Sequence, residues 1–486
     1  MTKLETDYLI IGAGAAGLAF ADTLLTEVPD AHITIVDLRS QVGGHWNDAY
    51  PFVALHQPSS FYGVNSLELG TGRKYASGVN AGMYEMATGT QVTAYFQRVM
   101  EEQLLPSGRV VYRPMSRFVD GNRIVSLLSG AETPLTIRRK VVDATRFSPR
   151  VPATEAPPFK VAPGVRVGTP TGLARLWLPA RDGAARPDHY CIVGAGKTGM
   201  DTGVWLLDQG VPPEQISWVM PRDSWIVNRV TTQNGTEFFD EAIGGAVRQL
   251  QALAEASSVD DLFLRLEAAG QMLRLDPQVM PRMCHFATIS EGELAQLRRI
   301  PHIIRKGRVQ AVDAQGLNFA SGTETMPVNA LYIDCTASAL DVLRTTEPIF
   351  QPGKIVPQLV RAPLVSFSTA LVAYVEAHYE DDAQKNALCQ PVPLVGGLGD
   401  YVHTQQLNLA NQFAWSQDKG LRNWIRTIRL DAFSRLVAAV APTDTDKVAW
   451  KTNQGAPYVP SPLIYGDKLY FTKGTNGVLS CLEAKT

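Results

Sequence analysis

Two glycine triplets, one acid and one cation set out the chemistry this chain can do. Gly12, Gly14 and Gly17 stand in the spacing G-x-G-x-x-G, and Asp37 follows twenty residues after Gly17. Gly194, Gly196 and Gly199 repeat the spacing, with Arg222 in the place of the acid. In such a turn the first glycine makes the tight bend and the second lets backbone approach a pyrophosphate. The third lets helix pack on strand. The free N–H groups and the positive end of the helix dipole then face the phosphates, with Ala15 at the first turn and Lys197 and Thr198 at the second. Asp37 can accept the ribose hydroxyls, which a 2′-phosphate would disfavour. Arg222 can instead take a 2′-phosphate in a bidentate pair, and Lys197 adds charge nearby. Two adenine dinucleotides on one chain, the second carrying an extra phosphate, imply hydride transfer between them. The Gly-Lys-Thr triplet is too close to its first glycine for a Walker loop.

The elements around these residues fit the same reading. Asp7–Ile11 is an apolar run of strand type, Leu18–Leu25 is helical, and Ile33–Val36 is a second strand with Asp37 at its tip. His189–Val193, Met200–Gln209 and Ile216–Met220 repeat strand, helix and strand, with Gly210–Pro213 ending the helix. Thr90–Leu105 and Gly292–Arg299 carry helical spacing, as does much of Thr236–Leu275. Arg109–Met115, Arg123–Leu128, Leu135–Val142, Ile303–Ala311, Gly316–Ala320 and Ala330–Asp334 read as strands. Pro149–Pro163 holds five prolines and reads as a linker. In the last third, Gly396–Asp400 reads as a surface loop and Trp424–Val440 as one amphipathic helix, while Lys468–Leu482 mixes strand and turn. The expected fold is α/β, with two nested Rossmann-like dinucleotide-binding domains and a helical insertion. Residues 1–150 and 336–486 form the first domain, and 151–335 the second, with the insertion at about 236–300. That insertion could roof a pocket or pair copies of the chain, so a homo-oligomer stays open.

At 486 residues the chain exceeds one ordinary core. A net charge of −2 gives no electrostatic case for nucleic acid or an anionic membrane. No apolar run reaches a membrane span, and Met1–Thr6 holds no signal peptide, so the expected location is cytoplasmic. The five cysteines form no C-x-x-C pair, which argues against disulfide reductase chemistry, and no metal site is expected. Cys335 reads as a buried apolar-like residue.

Val42-Gly43-Gly44-His45-Trp46 resembles the Gly-Gly-x-Trp segment of the two-dinucleotide flavoproteins. The resemblance implies FAD at the first site, with Arg39, Gly44, His45 and Trp46 beside it, and NADPH at the second. From Tyr50 onward the chain resembles the class B flavin monooxygenases. Tyr50-Pro51, Ser59 and Tyr62 match the Baeyer–Villiger pattern, with His56 where that pattern has Asp; Tyr62 and Asn65-Ser66 are similar to the heteroatom-oxygenating group. Val142-Asp143-Ala144-Thr145 is similar to the strand closing the first FAD half, with Arg146 in place of a glycine. The linker lacks the Phe and His of Phe-x-Gly-x-x-x-His and keeps only Gly168.

That resemblance implies NADPH and molecular oxygen as co-substrates, a small organic substrate, and a flavin C4a-(hydro)peroxide held dry and hydrogen-bonded. Asn65 is its candidate neutral donor, against the alternative of a turn residue after Gly63. His56 is a candidate proton-transfer residue, against that of a satisfied structural histidine. A flavoprotein reductase or dehydrogenase that uses the hydride alone is the other enzymatic reading, and a binding protein with structural FAD is the third.

Overall fold

Leu4–Ile11 has the burial pattern of a central strand: five consecutive residues, Thr6 to Ile10, are buried. A strand buried on both faces belongs in a parallel sheet covered on both sides. In the computed structural model, which describes residues 4–147, 151–178, 186–336 and 345–440 and the backbone of three strands at 463–465, 468–473 and 478–483, it sits at the centre of such a sheet. The order is Val110–Arg113, Ile33–Val36, Leu4–Ile11, Glu132–Asp143, Lys354–Ile355, with every one of these pairings parallel. The fifth strand comes from the C-terminal part of the chain. Helices Ala15–Glu27, Gly89–Arg98 and Val365–His378 cover one face, where Tyr8, Ile10, Leu18, Phe20, Phe96, Phe367 and Leu371 form the largest core.

A second parallel sheet runs His302–Ile304, Ile216–Val219, His189–Val193, Ala330–Asp334, Arg166–Gly168. Its three central strands are likewise buried on both faces, by Ile192, Trp218, Leu297 and Ile333 on one side and Cys191, Val193, Val219 and Tyr332 on the other. The fold is therefore α/β with two Rossmann-like units, the second inserted between the two stretches of chain that build the first.

Three expectations change, and one helix was not expected. The helix expected over Trp424–Val440 is two, Lys419–Thr427 and Ala432–Val440, because Arg429 and Asp431 between them are buried polar residues with partners elsewhere. The strand expected over Ile303–Ala311 is also two, His302–Ile304 and Val309–Asp313, in different sheets, and Gly307 turns the chain at φ 90° between them. Gly396–Asp400 is no free loop: it starts the helix Leu398–Gln417, and the Asp400 carboxylate accepts the Gly396 and Gly397 N–H groups at 3.0 and 2.8 Å. The helix Val365–His378 gave no periodic signal because it is buried nearly all round, with eleven of its residues out of solvent and small polar residues among them. Within the insertion, helices Gly245–Glu255 and Val259–Ala268 stand where helical spacing predicted them. Trp225, Phe263 and Tyr401 pack together there, so the insertion rests on the C-terminal helices. Among the described residues no helix is long and apolar enough to cross a membrane.

Candidate functional site

The two glycine turns are built by the same contacts. Gly12 and Gly194 have φ of 100° and 126°, a region open to glycine. Gly12 N–H donates to Val36 and Gly194 N–H to Val219, each on the neighbouring strand. A Cβ on Gly17 would lie 2.0 Å from the Gly12 carbonyl oxygen, and one on Gly199 would lie 2.2 Å from that of Gly194. The strands that close the halves repeat as well. Thr145 Oγ1 donates to Asp143 at 2.6 Å, and Thr336 Oγ1 donates to Asp334 at 2.6 Å. One local code thus makes two cradles.

They differ where the dinucleotides would. At the first, Asp37 accepts the Ala13 N–H at 2.6 Å and the Arg39 N–H at 2.7 Å, so it braces the turn. Gly43 N–H donates to the Ala13 carbonyl at 2.9 Å, and Gly44 lies against Gly14, so the second glycine turn is docked on the first. Near Asp37 the Tyr112 hydroxyl is buried with no partner among the described residues, and burial pushes its pKa up to about 12. An adenosine ribose is a polar group that would fit it. At the second turn, a Cβ on Gly196 would meet nothing within 4 Å, leaving room for a pyrophosphate.

A cavity of about 1520 Å³ joins the two halves. His45, Trp46, Tyr50, His56 and Tyr62 line it from the first domain, and Gly194, Gly196, Lys197, Thr198 and Arg222 from the second. Pro363–Phe367 and Gly396 reach it from the C-terminal part. Several charged side chains on the wall are already paired: Asp48 with Arg39 at 2.5 Å, Arg146 with Glu347 at 3.0 Å, and Lys197 with Asp201. Asp201 also accepts the Tyr50 hydroxyl at 2.7 Å, tying the domains together. Lys197 is therefore held along its own helix. Arg222 and Arg308 are the lining cations with no ion pair among the described residues. They stand beyond Val219 and Ile304, which are register partners on adjacent strands. Sequence reasoning missed Arg308 because it read one strand through the turn that carries it.

The structure brings the other candidates together only in part. Gly12, Gly14, Ala15, Gly17, Asp37, Arg39 and Thr145 form or brace the first cradle outside the cavity wall. His45 stacks on Trp46 at 5.3 Å, and burial, with Arg39 adding to it, pushes its pKa down to about 4. His56 is on the wall, but burial, then Lys197 and Arg229, push its pKa down to about 3. It is neutral at pH 7, so the structural alternative gains. Asn65 is off the wall: its Oδ1 accepts the Arg429 N–H at 2.8 Å and its own N–H donates to Asp22 at 3.0 Å. Its side-chain oxygen and its backbone N–H are committed to folding the loop. Burial pushes the Cys335 thiol up to about 12, which leaves it protonated and inert.

Nothing in the local spacing around Arg429 marks it for selection. Its buried guanidinium donates to the carbonyls of Tyr62 at 3.1 Å and Leu67 at 3.0 Å, and also to those of Ser60 and Val64. The loop that supplies Phe61 and Tyr62 to the cavity is thus wrapped around a cation from the C-terminal part. Arg429→Leu strips donors from four carbonyls, and the expected loss is on the order of 3 kcal/mol in urea unfolding. A midpoint within error of wild type would contradict the wrapped loop.

Residues 10–56, both glycine turns of the first cradle included, match the family model of the NAD(P)-binding Rossmann-like domain. The chain is 24% identical over 226 residues to the FAD-dependent monooxygenase resA of Aspergillus sclerotiorum, covering 44% of this chain and 36% of that one. Among solved structures, the oxidized steroid monooxygenase bound to NADP is similar at a TM-score of 0.47 and 15% identity, over 79% of this chain and 84% of that one. The uncharacterized protein Rv2000 of Mycobacterium tuberculosis (strain ATCC 25618 / H37Rv) is 44% identical over 437 residues, 89% of this chain and 79% of its own. The chain belongs to the family of Rv2000.

Proposed function

We propose that this chain is an NADPH-dependent, FAD-containing monooxygenase acting on a small organic substrate. The observation that carries the reading is the cavity whose wall joins the segment from His45 to Tyr62, which continues from the first cradle, to the second glycine turn. A hydride could then pass from one dinucleotide to the other without leaving the protein. FAD fits the first cradle, through the docked Gly43-Gly44 turn and the unpartnered Tyr112 hydroxyl. NADPH fits the second, through Gly196 and the unpaired Arg222 and Arg308. Bound flavin would supply the two-electron and oxygen-activating chemistry. The protein's part is to orient, to exclude water and to keep charge low at the reacting end. Trp46, Leu55, Phe61, Leu364 and Phe367 suit that part, and so does a neutral His56. The likeness to resA supports oxygenation over simple hydride transfer.

The reductase reading keeps one observation in its favour, since Asn65, the expected neutral donor, is off the cavity wall and its side-chain oxygen accepts from the Arg429 backbone. Stopped-flow spectra separate the two. The purified protein is expected to be yellow, to be bleached faster by NADPH than by NADH, and to give a transient C4a-oxygen adduct on mixing with oxygen. Direct reoxidation with stoichiometric hydrogen peroxide would support the reductase, and a colourless protein that takes up no added FAD would end both readings.

A further inference from the structure

The hydrogen-bond inventory of the cavity wall singles out Tyr62. A tyrosine hydroxyl has one proton to donate and two lone pairs to accept with. Trp46 Nε1, which can only donate, gives its hydrogen to the Tyr62 hydroxyl oxygen at 2.8 Å. The phenolic proton must therefore point away from Trp46, and no acceptor for it lies within hydrogen-bond distance among the described residues. Both side chains line the cavity. Burial raises the Tyr62 pKa, so the hydroxyl stays protonated and serves as a donor, never as a base.

The ring is held from several sides. Its edges meet Trp46 and Phe96, each at 6.1 Å between centroids. Its backbone N–H donates to Ser59 at 3.0 Å, and its carbonyl takes the Arg429 guanidinium at 3.1 Å. Trp46 belongs to the short helix Gly44–Asp48, which begins at the glycine docked on Gly14. The donor is thus tied to the first cradle and faces the space the cradle's ligand would extend into.

We propose that the Tyr62 hydroxyl, oriented by Trp46, is the hydrogen-bond donor to the redox-active ring of the dinucleotide held by the first cradle, the place that resemblance assigned to Asn65. The assignment rests on the FAD reading above. Asn65 is off the cavity wall, with its side-chain oxygen accepting from the Arg429 backbone, whereas Tyr62 lines the wall and carries an idle proton.

Tyr62→Phe removes one oxygen and leaves the ring packing in place. The apoprotein of each variant is titrated with FAD, and the visible spectrum and reduction potential of the bound flavin are recorded without substrate. Tyr62→Phe is expected to weaken FAD about five- to tenfold, the worth of one neutral hydrogen bond, and to shift the flavin absorption bands. Trp46→Phe frees the hydroxyl to rotate and should move the spectrum the same way by a smaller amount. Unchanged affinity, bands and potential in Tyr62→Phe would overturn the assignment while leaving FAD binding intact. Failure of the wild-type protein to take up FAD would instead overturn the reading beneath it. Arg123→Ala, at an exposed ion pair off the cavity wall, should leave all three readouts alone; a shift there equal to that of Tyr62→Phe would mean a general loosening and would also overturn the assignment.

Discussion

Gly199→Ala is expected to destabilise the protein by about 3 kcal/mol with no ligand present, while Gly196→Ala, three residues away, leaves stability within about 0.5 kcal/mol. The added methyl group is the same in both. At 199 it would lie 2.2 Å from the Gly194 carbonyl oxygen and 3.3 Å from Trp218 Nε1, and neither the strand end nor the helix can yield without breaking the turn. At 196 it would meet nothing within 4 Å, and the φ of −80° there suits alanine. Position 196 should instead fail in binding. A Cβ in the pyrophosphate's path displaces contacts to a charged group worth about 1.5–3 kcal/mol, or roughly ten- to a hundredfold in NADPH affinity. Urea unfolding and an NADPH titration on the same preparations test the pair. Equal destabilisation by both substitutions would show that Gly196 is structural and that no ligand space lies over it.

Arg222→Ala is expected to raise the KM for NADPH about ten- to a hundredfold and to leave that for NADH nearly unchanged, because only the phosphorylated ribose meets the guanidinium. The structure supplies the reason for so large an effect. Arg222 has no carboxylate partner among the described residues, so its charge is uncommitted. Burial and then Arg222 both lower the pKa of neighbouring His285, which keeps that imidazole neutral and leaves Arg222 its cation on that side. Arg308→Ala should give a smaller loss of the same selectivity, since that residue follows the neighbouring strand and not the strand next to the second glycine turn. Equal effects on the two coenzymes would remove the 2′-phosphate from the account. A Lys197→Ala variant should change selectivity less than either, because Asp201 already neutralises Lys197.

By itself the sequence determined both cradles. Strand, turn, helix and second strand are coded within about thirty residues, and a glycine is demanded wherever backbone meets backbone; Ile33–Val36 and Ala330–Asp334 fall where the pattern puts them. It also determined the contrast of Asp37 with Arg222, since each stands at the end of its own strand. Tertiary structure alone decided what these residues face. Asn65 reads as a wall residue until Arg429, 364 positions later, claims its side-chain oxygen. Lys197 reads as a phosphate ligand until Asp201 and Tyr50 close around it. Arg308 reads as mid-strand until a turn at Gly307 carries it to the cavity. In each case the deciding partner is a side chain or turn whose position follows from packing. Local spacing carries the backbone's demands, which are short-range and steric; the direction of a polar side chain depends on which other groups burial has left unsatisfied.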